Sequence, residues 1–339
     1  MMRTPTLGVM HDFRQPLPHE RSYAAYYAEC LDEVAEADLL GFDTVWMSEH
    51  HLTPDGFLPS PLVMSAAIAA RTRRIQIGTS IVVLPLHHPL RIAEDAAVAD
   101  LISGGRMILG LGQGYAEREF AAFGVDRRHR SSLLEENVEI LRQALTGGRV
   151  TIRGQHWSFD DLPVTPSPGR HVPLYIGGTT ELALRRAARI GDGIIIYCAT
   201  PQDLRARRAL FDTVLAEQRD AQIPLVCTGI LHVADDPDRA WAEARTGITY
   251  LERSIASYSN TNALVRDRAN YLVGTPEDVA GMLAALHDDV RFDHFAYWAR
   301  LPGLSHARAM ESLHMVASRV LPTLVQKNQD NPTTSSAGR

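Results

Sequence analysis

Eight short runs rich in β-branched and aromatic residues alternate with longer amphipathic segments along this chain, and that alternation narrows the available folds more than any other feature. The strand-like runs are Thr6–Met10, Asp43–Met47, Ile75–Leu84, Met107–Leu111, Val172–Ile176, Gly193–Tyr197, Pro224–Val233 and Phe292–Trp298. Helical spacing of apolar residues fills the stretches between them: Arg21–Leu40, Pro61–Arg71, His88–Ser103, Ser131–Leu145, Thr180–Ile190, Pro201–Arg219, Pro237–Arg253, Pro276–His287 and Ser305–Leu321. Several of these open on proline, which suits a first helical turn, and Gly41 follows Leu40 where a left-handed cap is needed. Strand–helix alternation calls for a parallel sheet covered by helices, with right-handed crossovers. Eight such units predict an α/β fold closed as a (β/α)8 TIM barrel, with an open doubly wound sheet as the alternative.

Two segments interrupt the pattern. Arg149–Phe159 reads as a small β-hairpin insertion, and Ser254–Thr275 reads as a long polar loop before the last helix–strand unit, a natural cover for a site. The single barrel is expected to span 1–325, and the polar tail 326–339 is expected to be disordered.

Composition bounds the partners. A net charge of -6 over 339 residues gives no electrostatic reason to bind nucleic acid or an anionic membrane. No apolar run approaches the roughly 18 residues that span a bilayer, and the opening MMRTPTLGVMHDF lacks a secretory pattern. Cys30, Cys198 and Cys227 stand far apart, which predicts a reducing cytoplasmic setting with neither disulfides nor a structural zinc site.

In a barrel of this kind, chemistry sits at the C-terminal ends of the strands. His11 and Asp12 follow the first run, and Glu49, His50 and His51 follow the second. Thr79 and Ser80, and then His87-His88-Pro89, belong to the third; the fourth ends in GLGQGYAEREF and the fifth in IGGTTE. Adjacent histidines in extended chain point to opposite sides, and no HExxH accompanies them, so no metal is expected. A histidine at a strand end can move protons near neutral pH, and His50 is the preferred one; His51 reads equally well as a buried structural residue. The run Gly110–Tyr115 lacks the third glycine of a dinucleotide fingerprint, so it is either a close backbone approach to a flat ring or a plain turn. Ile176-Gly-Gly-Thr-Thr-Glu181 offers a helix N-terminus, suited to a phosphate or simply capped by Thr179 or Thr180.

The segments GFDTVWMSEHH (Gly41–His51), Ile77–Tyr115, Val172–Ile194 and VGTPEDV (Val273–Val279) resemble the bacterial luciferase-like flavin-dependent monooxygenase family. So does a GTxxxVLPxxHPxRxxED block at Gly78, Thr79, Val83, Leu84, Pro85, His88, Pro89, Arg91, Glu94 and Asp95. The resemblance runs in the family's order up to about Val325. It implies a (β/α)8 barrel that takes reduced FMN or, in one branch, a reduced deazaflavin coenzyme. His50 matches the family's active-site histidine, and Glu49 is expected to orient it. The third-strand segment, Thr79 and Ser80, matches a flavin-facing bulge with a cis peptide near Ser80-Ile81. Gly112, Gln113, Gly114 and Tyr115 match a second flavin contact, and Gly177, Gly178, Thr179 and Thr180 the cofactor-phosphate site.

This chain has Gly112 and Gln113 where light-emitting members carry a reactive cysteine and a phosphate-binding arginine, so Arg130 or backbone amides alone must assist the phosphate. Gly177-Gly178 leans toward the deazaflavin branch and the EHH motif toward FMN. The leading expectation is a monooxygenase in which oxygen adds at C4a of reduced FMN and a small organic substrate is oxidised. A separate flavin reductase would supply the reduced FMN, since no nicotinamide fingerprint is present. A deazaflavin-dependent dehydrogenase or reductase, and a non-catalytic flavin-binding protein, are the alternatives. Homodimers are usual in the family.

Overall fold

The computed structural model describes residues 5–18, 21–197, 200–218, 222–259 and 267–324. Its first unit shows how the sequence sets the local structure. Strand β1 (Thr6–His11) leads to helix α1 (Tyr23–Leu40), which Ser22 opens by accepting from the Ala25 amide and Gly41 closes at φ 95°. The buried stripe of α1, at Tyr26, Cys30, Glu33, Val34 and Ala37, has the three- and four-residue spacing of one helix face. The units β2 (Thr44–Met47) with α2 (Pro61–Arg71), and β3 (Gln76–Thr79) and β4 (Val82–Val83) with α3 (Pro89–Ser103), repeat the theme. Strand β5 (Met107–Gly112) is followed by α4 (Glu117–Ala122), α5 (Arg130–Gly147) and an outer hairpin of β6 (Arg149–Arg153) and β7 (Ser158–Pro163). The chain continues through β8 (Leu174–Gly177), α6 (Glu181–Ile190), β9 (Gly193–Tyr197), α7 (Pro201–Gln218), β10 (Leu225–Gly229) and β11 (Leu231–Val233). It finishes with α8 (Pro237–Ser259), β12 (Leu272–Gly274), α9 (Pro276–Val290), β13 (His294–Trp298) and α10 (His306–Met315), which runs into a π-helical stretch at Val316–Val320.

The parallel pairings run β3-β2-β1-β13-β10-β9-β8-β5-β4, and β3 also pairs with β5, so the sheet closes into the eight-position barrel that the alternation predicts. Neighbouring residues of each strand serve different layers. Leu7, Val9, Val45, Met47, Leu109, Leu111, Ile194 and Ile196 pack outward against the helices. Met10, Trp46, Ile108, Ile195, Val226, Ala296 and Trp298 form a separate cluster inside the barrel. Period-two alternation, invisible as polarity because both faces are apolar, thus divides the core in two.

Deep in the lumen, His294 is fully buried and satisfied. The Trp46 indole donates to Nε2 at 3.0 Å, and Thr44 and Thr6 lie 2.6 Å from Nε2 and Nδ1. An indole can only donate, so Nε2 is the unprotonated nitrogen; burial holds this ring neutral, its pKa lowered to about 3.

Three expectations need correction. The third run, read as one strand, is broken between Thr79 and Val82, and the cis peptide that the resemblance implies near Ser80-Ile81 is present at that break. The seventh splits after Gly229, and its second half leaves the barrel to pair with β12. The long loop expected at 254–275 is shorter than its bounds at both ends: α8 extends to Ser259, and Arg268–Asn270 and β12 occupy the far end, with 260–266 outside the described residues. Its polar composition misled because Ser254 is satisfied by Arg14, 240 positions away, while Leu251 and Ala256 carry the buried face. The charged run after Tyr115 folds as α4. The expected tail at 326–339 lies outside the described residues.

Candidate active site

The C-terminal end of β2 delivers Ser48, Glu49, His50 and His51 to the barrel rim. Glu49 turns away from His50. Its Oε1 lies 2.6 Å from both His51 Nε2 and His87 Nε2, and its Oε2 accepts from the Val83 amide at 2.6 Å. Burial alone would raise its pKa, but the histidine contacts outweigh burial and bring it down to about 2. Burial likewise works against a charge on His87, and Glu49 overcomes it, so His87 titrates above its ordinary value. The expectation that Glu49 orients His50 is therefore corrected. Alternate residues of an extended segment share a side, so Glu49 reaches His51, two positions on, and not its neighbour.

Glu119 of α4 takes that role. Its Oε1 lies 2.8 Å from His50 Nδ1 and accepts from the His51 amide at 2.9 Å. With Nδ1–H given to a carboxylate, His50 Nε2 is left as an acceptor, 3.2 Å from the Tyr115 hydroxyl. Phe57 meets the imidazole edge-on at 4.8 Å between centroids, and Tyr258, near the tip of α8, lies over it at 4.5 Å. The Arg118 guanidinium sits 4.8 Å above the Tyr258 ring. Buried Arg14, bonded to Asp12 at 2.7 Å and to Ser254 at 2.8 Å, ties α8 to the end of β1. Sequence reasoning passed over Glu119, yet a signal was present: Ala116, Glu119 and Phe120 form a buried i, i+3, i+4 stripe with a carboxylate in it.

The remaining predicted contacts divide. Thr79 is fully buried, its hydroxyl donating to Gly110 O at 2.7 Å and accepting from Gly110 N at 2.9 Å. Its side chain thus joins β3 to β5 and is removed from the cofactor set. Ser80 gives its amide to Met47 O at 2.6 Å. Ile81, after the cis bond, leans against two bare backbones: a Cβ on Gly112 or on Gly177 would come within 2.7 Å of its side chain. Those glycines are required by close approach, not by turn geometry. Gly114 has φ +69°, and Gln113 Oε1 accepts from Ser131 at 2.7 Å and Arg186 at 3.3 Å. The Gly178 amide is already given to Ile195 O at 3.1 Å, which corrects its assignment as a phosphate donor. The sheet ladder continues one residue past β8 and consumes it. Thr180 caps α6 by accepting from Ala183 N, so the amides left for an anion by their place in the first turn are at Glu181 and Leu182, beside Thr179. Arg130 gives Nη1 to Arg127 O at 3.0 Å, while its Nε is buried with no hydrogen-bond partner among the described residues.

These residues fit a flat anionic cofactor. Ser48 Oγ, Glu119 Oε2, Arg130 Nε and Thr228 Oγ1 are all buried polar atoms without a partner among the described residues. Each lies at or near the carboxyl end of a barrel strand or between the end of β5 and the first residue of α5, and buried polar atoms are seldom left unpaired unless a ligand or water meets them.

The sequence profile described as luciferase-like monooxygenase matches residues 6–299. Limonene 1,2-monooxygenase of Rhodococcus erythropolis is 27% identical over 311 residues, 86% of this chain and 80% of that protein. Other curated relatives, among them the alkanal monooxygenase alpha chain of Photorhabdus luminescens (31% identical), are matched over about half of their length, 50% in that case, by 52% of this chain. Among solved structures, monooxygenase RslO1 from Streptomyces bottropensis superposes with TM-score 0.84 at 24% identity, covering 94% of this chain and 99% of that one. The FMN complex of the oxygenating constituent of 3,6-diketocamphane monooxygenase from Pseudomonas putida gives 0.77 at 18%, covering 95% and 99%. An F420-dependent secondary alcohol dehydrogenase gives 0.77 at 20%, with the same coverages. At these identities the superpositions speak for the fold.

Proposed function

Because the chain belongs to the luciferase-like monooxygenase family, and so to the oxidoreductases, we propose that it oxidises a small organic substrate with reduced FMN and oxygen. The observation that carries this reading is His50, fixed by Glu119 at Nδ1 and presenting Nε2 beside the Tyr115 hydroxyl at the barrel rim. The bound flavin supplies the electrons and the place where oxygen is activated. Ile81, Gly112, Gln113, Gly114 and Tyr115 would flank it, and Thr179, Thr180 and the first amides of α6, with Arg130, would hold its phosphate. His50 Nε2 accepts or returns a proton there, and Glu119 keeps the ring in one tautomer. Phe57 and Tyr258 cover the imidazole and exclude water. The inner barrel cluster around Trp46, Ile195 and Trp298 favours an apolar substrate.

A transient flavin reductase is the partner that this reading requires, because the sequence carries no nicotinamide fingerprint of its own. A homodimer is supported by Val63 on α2 and Val98, Leu101 and Ile102 on α3, apolar side chains exposed on two adjacent helices. No helix among the described residues is long and apolar enough to cross a membrane, and the buried Cys30, outside any disulfide, suits a cytoplasmic setting.

A deazaflavin-dependent dehydrogenase is the second reading, favoured by Gly177-Gly178 at the end of β8. Equilibrium titration with FMN and with deazaflavin coenzyme, each oxidised and reduced, separates the two. Tight binding of reduced FMN with substrate-coupled oxygen consumption is the expected result. Preference for the deazaflavin without oxygen uptake would overturn the first reading, and binding of neither would overturn both.

A further inference from the structure

Away from the rim centre, His11 at the end of β1 meets Cys30 and Glu33 of α1 in a fully buried pocket, their ligating atoms all within 4.8 Å of one another. Cys30 and Glu33 are three residues apart on one helix face, so a single rigid element presents both. Two of the three groups are orphaned. Among the described residues His11 Nε2 and Glu33 Oε2 are buried without a hydrogen-bond partner, although they face each other at 3.6 Å.

That separation decides the reading. Elsewhere in this chain a histidine and a carboxylate close to hydrogen-bond distance, 2.8 Å at His50–Glu119 and 2.6 Å at Glu49–His51. A pair left at 3.6 Å forfeits the bond and pays desolvation for both partners. It is, however, close to the spacing of two ligands on one tetrahedral ion: metal–nitrogen and metal–oxygen bonds near 2.0–2.2 Å place N and O about 3.3–3.5 Å apart. The same criterion rejects the other histidine–carboxylate cluster. Glu49 lies 2.6 Å from both His51 and His87, too near for ligands of a tetrahedral ion, and those contacts are hydrogen bonds.

We propose that His11, Cys30 and Glu33 bind a zinc-class divalent ion that staples β1 to α1. Imidazole, thiolate and carboxylate form a borderline-soft set suited to zinc, and a water would complete four-coordination. Glu33 is arranged for this division of labour. Its Oε1 is taken by Arg300, with Nε at 2.7 Å, and by His306 at 2.8 Å, leaving Oε2 bare toward His11. Arg300 sits beside the ion, but the charges close: Glu29, Glu33 and the Cys30 thiolate give three negatives against the ion's two positives and Arg300's one. Arg21 lies farther out, sharing Glu29 at the half-exposed edge. This site is independent of the flavin reading.

The test uses the full chain produced in zinc-supplemented and, separately, cobalt-supplemented medium, then gel-filtered through chelator. About one equivalent of zinc per chain is expected to remain, and the cobalt form is expected to show a thiolate-to-cobalt charge-transfer band in the near ultraviolet. Cys30→Ala is expected to abolish the band and the retained zinc; Cys30→Ser serves if the alanine variant misfolds. Chelation at raised temperature is expected to lower the thermal midpoint of the wild type and leave that of the variant unmoved. Wild-type protein without zinc and without the band, as for a water bridging His11 and Glu33, overturns the proposal. A band that survives both Cys30 variants overturns it equally.

Discussion

A ring nitrogen committed to a buried carboxylate leaves the other nitrogen with a defined role, and this is the relation between Glu119 and His50. His50→Ala is expected to lower kcat by about 10²–10⁴-fold, the usual range for a lost general acid–base group. Glu119→Gln keeps an acceptor but loses the charge, and a fall of about tenfold in kcat is expected, with flavin affinity and KM nearly unchanged. A variant that loses affinity and keeps kcat would remove the positioning role. His294 contributes to acid stability. It titrates at about 3 in the folded chain against an ordinary 6.5, lowered by burial. The unfolded chain therefore takes up the proton first, so the stability that this ring contributes is whole above pH 6.5 and is lost as the pH falls toward 3. Glu49, held at about 2 against 4.5, adds loss in the same direction at lower pH. Urea unfolding across that range should show the decline beginning near neutrality, and a flat profile down to about pH 4.5 would contradict it. His50 and the EHH motif were legible in the sequence; the partner of His50 was not, because a carboxylate 69 residues away becomes its neighbour only through barrel closure.

At the level of elements, the interrupted third strand sets the wall of the site. Ile81 occupies the space that side chains at positions 112 and 177 would otherwise fill. Gly177→Ala would bring a Cβ within 2.7 Å of Ile81 Cγ2, and the isoleucine, as the more yielding partner, is expected to turn toward the lumen. A drop in flavin affinity of about tenfold, or about 1.4 kcal/mol, is then expected with the thermal midpoint within a few degrees of wild type. Unchanged affinity would detach Ile81 from the cofactor. Strand and helix order could be read from apolar periodicity, the break after Thr79 only through the family resemblance, and the departure of β11 and the length of α8 not at all. Each depends on a contact distant in sequence: Val83 on Glu49, β11 on β12, and Ser254 on Arg14.

For the whole molecule, the alternation of strands and helices sufficed to predict the barrel, but its closure rests on β3 meeting β5, a pairing that no local pattern announces. The outer face carries its own expectation. Val63 and Ile102 are 73% and 50% exposed on this face. If α2 and α3 form the homodimer face, Val63→Glu with Ile102→Lys should yield monomers in sedimentation while the fold, followed by circular dichroism, persists. A wild-type monomer would dismiss the assembly.

The division of each barrel strand between two sets of neighbours has an evolutionary corollary. Residues such as Val9 and Ile194 answer to the surrounding helices, and Met10 and Ile195 only to the lumen. Selection can therefore rewrite the inner row to admit a differently shaped molecule while the outer row goes on specifying the same architecture, so new chemistry in this scaffold demands few simultaneous mutations.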